Sequence, residues 1–488
     1  MKKAIFTLLL LISANASASY HWIDANNLHL RADIQLLADV GIVKVPTTTY
    51  PLMWSGVMQG INETLPEDIP AQAKGSYERV VKYYNNLKNS RYKIDLSVAG
   101  ATKKPRFQHY GTPVQEKAQA AIAVTGESEY FAYRLKSSAV YDSTDGDELR
   151  LDGSYLSLLL GNWVFTAGSY DEWYGQGWDT ALMKSSNTRS MPTLSVSRNN
   201  PQAFTLPVLK WLGPWTLTTG ISWMNDDQYR SIDNALLWSF RTSFKPHPNF
   251  EFGITRTAQL CGDDKGCGVS TWWDMLSGDS NVYTGENPAN QLAAVDFRWG
   301  STLYGMPYGI YWESMGEDSM QLNRFPPFEE HSYLMGLDMS YRAFNQSIRT
   351  FFEYTETNAA CGGDGDCTYE HSTYKGGYRY QSKSIGSTYD NDARTYVLGF
   401  IGNSDNGHQW KSNLRYLDLN VDNSNANAPG GNTVAAMAEQ ATQFDFTYIF
   451  PLLQGKLETG ASYTYSTYSN DIKNDNNIAL WANWDYQF

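Results

Sequence analysis

Residues 478–488 read IALWANWDYQF and close the chain. Ile478, Leu480, Ala482, Trp484, Tyr486 and Phe488 share one phase of a two-residue period, while Asn483, Asp485 and Gln487 share the other. An aromatic apolar face opposite a polar one suits a wall with lipid outside and water inside. Ending on an aromatic residue after such a strand is typical of bacterial outer-membrane barrels. Phe488 is therefore expected to be an assembly signal for the barrel-assembly machinery. The same period recurs upstream. Tyr333, Met335, Leu337, Met339 and Tyr341 oppose Ser332, Gly336, Asp338, Ser340 and Arg342. Phe444, Phe446, Tyr448 and Phe450 alternate with Gln443, Asp445 and Thr447.

Extending this reading predicts about eighteen antiparallel strands over residues 91–488. Their centres are Leu96, Ile122, Arg134, Leu158, Val164, Val196, Thr218, Leu237, Gly253, Val295, Tyr311, Leu337, Phe351, Leu398, Leu414, Phe446, Tyr463 and Trp484. The alternation slips at Leu151–Tyr155, where a bulge is expected. Connections after even strands are mostly short, as at Gly161-Asn162 and Pro451 to Gly455. Connections after odd strands are often long, near 170–192, 261–290, 314–330, 358–392 and 420–436. Short turns opposite long loops is the pattern of a membrane barrel. A soluble sandwich or propeller gives no reason for it. An even strand count puts both barrel ends on the periplasmic side and the long loops outside the cell.

Residues 1–18 read as a signal peptide. Lys2 and Lys3 precede the apolar run Ala4–Ile12, and Ala16-Ser17-Ala18 offers a cleavage site. The mature chain would start at Ser19, with cleavage after Ala16 a close competitor. Residues 19–90 carry a helical period instead: Leu30, Ile34 and Leu37 share one face, and Tyr77, Val80, Val81, Tyr84 and Leu87 another. A small periplasmic helical segment is expected there. No apolar run is long enough for a transmembrane helix. The 33 Tyr, 16 Trp and 20 Phe residues nevertheless coexist with a negative mean hydropathy, the mixture a two-faced wall in outer-membrane lipid produces. Removing Lys2 and Lys3 leaves 36 basic against 51 acidic side chains, a net of −15, which argues against a nucleic-acid partner.

The four cysteines form two C-x5-C pairs, Cys261/Cys267 and Cys361/Cys367, both in predicted external loops. An even count behind a signal peptide points to disulfides, and of the three pairings local closure is favoured. Zinc sites more often use C-x2-C, so no metal or other cofactor is expected. None of the seven histidines lies in a catalytic motif, and His371 and the GGDGD turn read as solvated loop features; the chain is read as non-enzymatic. Two external segments stand out, Glu172–Arg198 and Tyr378–Tyr396. Each combines aromatic rings with amides, acids and cations, the side chains that stack on sugar C–H faces and pair with hydroxyl or anionic groups. Aromatic girdles and hydrophilic loops are also ordinary features of any barrel.

These segments resemble the Wzi family of outer-membrane capsule-assembly proteins. The stretch WIDANNLHLRADIQLLADVGIVKVPTTTYPLMW is similar to the family's opening motif. WYGQGWDTALMKSSNTRSMPTLSVSR resembles its W-G-x-G-W…N-x-R…P-x-L-x-x-x-R segment, and YRYQSKSIGSTYDNDARTYVLGF its Y-R-Y…S-I-G…D-N-D segment. Gly, Arg and His are usual where Ser382, Lys383 and Ser387 stand; Lys383 keeps the charge without the guanidinium fork. The resemblance implies an eighteen-stranded barrel with a periplasmic helical bundle. It also implies a surface lectin that holds capsular polysaccharide or exopolysaccharide, and is not the export channel. Candidates for gripping or shaping the glycan site are Trp173, Trp178, Asn187, Arg189, Arg379, Tyr380, Lys383, Asp390 and Asp392. Trp178, Asn187 and Arg189 have a second reading, as braces for the loop inside the barrel mouth. The rival functions are a diffusion porin, because eighteen strands otherwise leave an aqueous lumen, and a barrel enzyme.

Overall fold

The computed structural model describes residues 22–88, 92–224, 230–277, 289–317, 328, 331–358, 368–423, 432–469 and 474–487. The signal peptide, Cys361, Cys367 and Phe488 lie outside the described residues.

The strands close into one barrel. In chain order they are β1 Tyr92–Ala101, β2 Ala118–Glu127, β3 Phe131–Tyr141, β4 Tyr155–Leu160, β5 Trp163–Ser169 and β6 Pro192–Arg198. Next come β7 Trp215–Trp223, β8 Leu236–His247, β9 Phe250–Leu260, β10 Ala289–Leu303, β11 Met306–Glu317 and β12 His331–Ala343. The series ends with β13 Gln346–Glu356, β14 Ala393–Ser404, β15 Gln409–Leu419, β16 Glu439–Leu452, β17 Gly455–Tyr468 and β18 Asp475–Gln487. Each predicted centre falls inside its strand. β18 returns to β1 in antiparallel register, with Trp481 opposite Ala101 and Gln487 opposite Asp95. Closure removes the exposed edges an open sheet would leave.

The slip at Leu151–Tyr155 is a break in the fourth strand. Leu149–Arg150 pairs with Ala139 and Ser138, and pairing with β3 resumes only at Tyr155. Ser154 spans the gap: its hydroxyl accepts from the Lys136 amide at 2.9 Å and donates to the Lys136 carbonyl at 3.0 Å. A side chain thus replaces the ladder where the register fails. At the other end the turns are tight. Tyr304-Gly305, Phe344-Asn345 and Leu453-Gln454 all hold positive φ at both positions, the geometry that matches the twist of a two-residue hairpin. The exception is the long connection 199–214 between β6 and β7, which lies at this end and contains the short 3-10 turn Lys210–Leu212.

The N-terminal helices are α1 Leu28–Asp39, α2 Trp54–Glu63 and α3 Lys74–Lys88. They do not stand below the barrel as a separate bundle. All twelve residues of α1 are buried. Its apolar stripe packs with α2, Trp173 and Tyr311 in the main core. Its polar face meets the barrel wall: Asp39 pairs with Arg298 at 3.0 Å and Arg349 at 3.2 Å, and His29 bonds Asn403 at 2.6 Å. The segment is therefore a plug seated in the short-turn mouth. It reaches the wall again where the Thr47 amide donates to Glu251 at 3.0 Å. α3 closes the mouth, with Arg79 paired to Asp33 at 2.7 Å and to Asp405 in the β14–β15 turn at 3.2 Å.

Candidate functional site

The loop after β5 turns inward from the long-loop end and meets the plug. Trp173-Tyr174 pairs antiparallel with Tyr50-Thr49. Arg31 on α1 donates to the carbonyls of Gly177 at 2.7 Å and Gln176 at 3.2 Å. Aromatic rings surround its guanidinium: Trp178 at 4.5 Å, Tyr110 at 4.7 Å, Trp173 at 5.2 Å and Tyr50 at 5.7 Å. Cation–π contacts of this kind hold a desolvated cation without a carboxylate.

Inward carboxylates fasten the loop from the wall. Glu313 accepts from the amides of Gly177 and Leu182 at 3.2 Å each and also from Gln176. Glu353 accepts from Asp179 at 2.9 Å and from Trp178. The Trp178 indole donates to Asp338 at 2.9 Å, and Asp179 pairs with Arg415 at 2.6 Å. Glu313 and Glu353 were not among the candidates. Both stand on the inward phase of their strands, the one signal that marks them.

The segment 368–392 caps this loop. Ser185 donates its amide to Ile385 O at 2.9 Å, Tyr369 donates to Leu182 O at 2.7 Å, and Tyr378 to Met183 O at 3.0 Å. The Thr388 amide donates to Thr180 Oγ1 at 2.8 Å, and Tyr389 donates to Asp179. The two segments singled out in the sequence thus form one interlocked unit, joined to the plug below.

Within that unit seven of the nine candidates are buried. Trp173 and Trp178 enclose Arg31. Asn187 donates to Ser384 O at 3.1 Å. Arg379 pairs with Asp390 at 2.8 Å and Glu370 at 2.5 Å, and these acids hold its guanidinium charged despite the opposing effect of burial. Asp390 also accepts from Thr433 Oγ1 at 2.6 Å. Asp392 accepts from Asp422 N at 3.1 Å; burial, with the Asp422 carboxyl beside it, pushes Asp392 up to about 7. Tyr380 lies in a two-residue ladder, opposite Lys383. The eighth candidate, Arg189, is half-buried and paired to Asp145 at 2.6 Å, Asp147 at 2.8 Å and Asp152 at 2.7 Å. Lys383 differs. It stands at the half-exposed hairpin tip with no carboxylate within 4.0 Å among the described residues. Burial lowers its pKa to about 8, with Glu116 opposing and Arg150 adding to the shift. Beside it Ser382 has φ 62°, the left-handed region glycine prefers.

The filling is uneven. Beside the plug a polar cavity of about 730 Å³ runs along β1–β3 and β15–β18, lined by Lys93, Asp95, Lys136, Lys411, Lys456 and Asp485 among others.

A closed barrel of eighteen strands, apolar outside and plugged within, defines an outer-membrane β-barrel. Residues 87–479 match the family described as Capsule assembly protein Wzi, and the chain belongs to that family. Escherichia coli Wzi, an outer membrane protein involved in group 1 capsule assembly and a carbohydrate-binding β-barrel, superposes with a TM-score of 0.82. It is 20% identical, and the match covers 96% of this chain and all of that one. A 55.8 kDa Klebsiella pneumoniae protein of uncharacterised role, from the cps region, is 27% identical over 318 residues. That match covers 64% of this chain and 61% of the relative's length. Pseudomonas aeruginosa OpdQ aligns with a TM-score of 0.46 at 12% identity over 82% of this chain and 98% of its own.

Proposed function

We propose that this protein is a non-enzymatic surface lectin of the outer membrane that binds exported capsular polysaccharide or exopolysaccharide and keeps it attached to the cell. The long-loop end faces outward and the plug faces the periplasm. The observation that carries the reading is the interlocked cap, which holds a defined surface over a plugged lumen, as a binding platform needs. Family membership supports it. Lys383 contacts anionic or hydroxyl groups of the glycan. Trp173, Trp178, Asn187, Arg189, Arg379, Tyr380, Asp390 and Asp392 shape the platform from beneath or beside it. On an acidic protein a cation at the tip offsets repulsion of a uronate-bearing polymer within a Debye length. Each contact is weak, and retention comes from one polymer meeting many barrels. Outer-membrane lipid surrounds the wall, and the barrel-assembly machinery inserts it by way of Phe488.

The porin reading has one observation in its favour, the polar cavity beside the plug. Two measurements separate the readings. Deleting the gene, or substituting Lys383→Ala, should release polysaccharide into the medium without lowering total synthesis, while the variant barrel stays heat-modifiable. In planar bilayers the intact protein should carry little steady current. Normal cell-bound polysaccharide in the deletion strain would defeat the lectin assignment, and a large stable current would favour a channel.

A further inference from the structure

β9 alternates as a barrel wall should. Glu251, Thr255 and Gln259 point into the lumen, and Ile254, Arg256, Ala258 and Leu260 point out. Outward residues of a membrane wall are exposed to lipid, as Ile254 is, yet Ala258 and Leu260 are fully buried. What covers them is α4, Val269–Ser277, in the loop that follows. Met275 packs against Ala258, Leu260 and Ala289. From the same outer face Arg256 donates to the carbonyls of Met275 and, at 3.2 Å, Leu276, a cation placed on the last turn of a helix. The Cys261–Cys267 disulfide closes the chain between the end of β9 and the start of α4. The helix is thus fastened to the outside of the barrel.

At 100° per residue α4 has three arcs. Met275 and Trp272 turn toward the wall. Ser270, Thr271, Asp274 and Ser277 form a polar arc. Val269, Trp273 and Leu276, at i, i+4 and i+7, form an apolar arc that is 88%, 68% and 49% exposed. The height is informative. Phe250 sits in an aromatic cluster with Phe252, Phe297 and Trp299 beside the short-turn end. From Phe250 to Leu260 is about 33 Å along a strand, or about 25 Å of height at a tilt near 40°, which is the height of the apolar band of such barrels. Leu260 and the helix on it therefore lie at the opposite interface, where tryptophans settle.

We propose that α4 is a membrane-interface foot whose Val269, Trp273 and Leu276 side chains rest in the acyl-chain boundary of the leaflet at the long-loop end. The exposed arc is continuous with the lipid-facing wall, so lipid covers both, as it does for amphipathic helices lying in an interface. The leaflet is the outer one in the orientation given above, and nothing in the argument depends on glycan binding.

The test uses the full-length, oxidised protein in phosphatidylcholine–phosphatidylglycerol vesicles. Trp273→Cys and Leu276→Cys each carry a polarity-sensitive thiol dye, and Asp274→Cys carries it on the polar arc. Dyes at 273 and 276 should emit to the blue of the dye at 274 and be quenched by a nitroxide high on the lipid acyl chain, but not by aqueous iodide. Equal quenching of all three by iodide would overturn the proposal. Shielding of 273 and 276 from both quenchers, with cross-linked dimers, would also overturn it in favour of a protein contact. Labelling of Asp274→Cys on intact cells by an impermeant reagent reports the orientation separately.

Discussion

The lumen has two unlike halves. Along β8–β13 the inward arginines are each tied to a carboxylate, Arg241 to Asp296 at 2.7 Å, Arg298 to Asp338 at 2.7 Å and Arg349 to Asp39 at 3.2 Å, while Lys245 on β8 is a buried inward lysine outside these pairs. Asp39 belongs to the plug, so the network joins wall to plug. Along β1–β3 and β15–β18 the inward lysines Lys93, Lys136, Lys411 and Lys456 face the cavity, with no carboxylate within 4.0 Å among the described residues. The chemistry of the two cations fits this bias. A guanidinium keeps its charge and matches two acceptors at once, which suits a dry network. An ammonium is strongly hydrated and suits a wet gap. The β8–β13 side is densely cross-linked to the plug and the loop cap; the other side encloses the cavity and is tied at fewer points, among them Arg415 to Asp179 at 2.6 Å and Arg134 to Asp24 at 3.4 Å.

The largest effect should come from breaking the densely cross-linked side. Asp338→Ala strips Arg298 and Arg349 of a shared acceptor and leaves the Trp178 indole unpaired. Uncompensated buried charge costs about 3–5 kcal/mol. Lys136→Ala, on the cavity side, should change stability by no more than about 0.5 kcal/mol. Denaturant titration in detergent, followed by the heat-modifiable gel shift, compares the two. Equal losses would mean that the halves are not energetically distinct.

A second contrast, smaller because it is local, lies within the cap. Arg379 is buried between Asp390 and Glu370, whereas Lys383 four residues on has no such partner. Arg379→Ala leaves two acids facing one another's field, and a loss near 3 kcal/mol corresponds to a roughly hundredfold drop in amide protection. Hydrogen exchange should show that drop across 378–390 while the strands stay protected. Lys383→Ala should leave the exchange pattern unchanged. Loss of protection in both variants would place Lys383 inside the bracing network as well.

The wall was legible because alternation is a local property of a strand: β12 shows Asp338 inward and Leu337 outward as its sequence phase requires. The break in the fourth strand was legible for the same reason. The plug was not. α1 reads as a helix with one apolar stripe, and its polar residues Arg31, Asp33, Gln35 and Asp39 carry no local sign of burial. They are buried because distant residues supply partners once the barrel closes: Gly177 for Arg31, Arg79 for Asp33, and Arg298 and Arg349 for Asp39. The cap was half legible. Its segments were identifiable by composition, but rings and amides suited to sugar are equally suited to enclosing Arg31 and pairing loop backbone. The Cys261–Cys267 disulfide is the local pairing that the short spacing favoured among three, and the second cysteine pair falls outside the described residues.

The smallest effect concerns protonation at the tip of the cap. Lys383 titrates near 8, below the usual lysine range, because burial disfavours its ammonium form. The unfolded chain therefore binds more protons than the folded one between about pH 8 and 10.5, so stability rises with pH across that window. Binding runs the other way. A lysine with this pKa is roughly nine-tenths charged at pH 7 and one-tenth charged at pH 9. If it grips an anionic glycan, cell-bound polysaccharide should fall between those values in the wild type. Lys383→Arg keeps its charge throughout and should hold the polymer at both. Lys383→Ala should retain little at either pH. Should the wild type and the arginine variant lose polysaccharide in parallel, the pH effect belongs to the glycan or the wider surface, and Lys383 has no special part in retention.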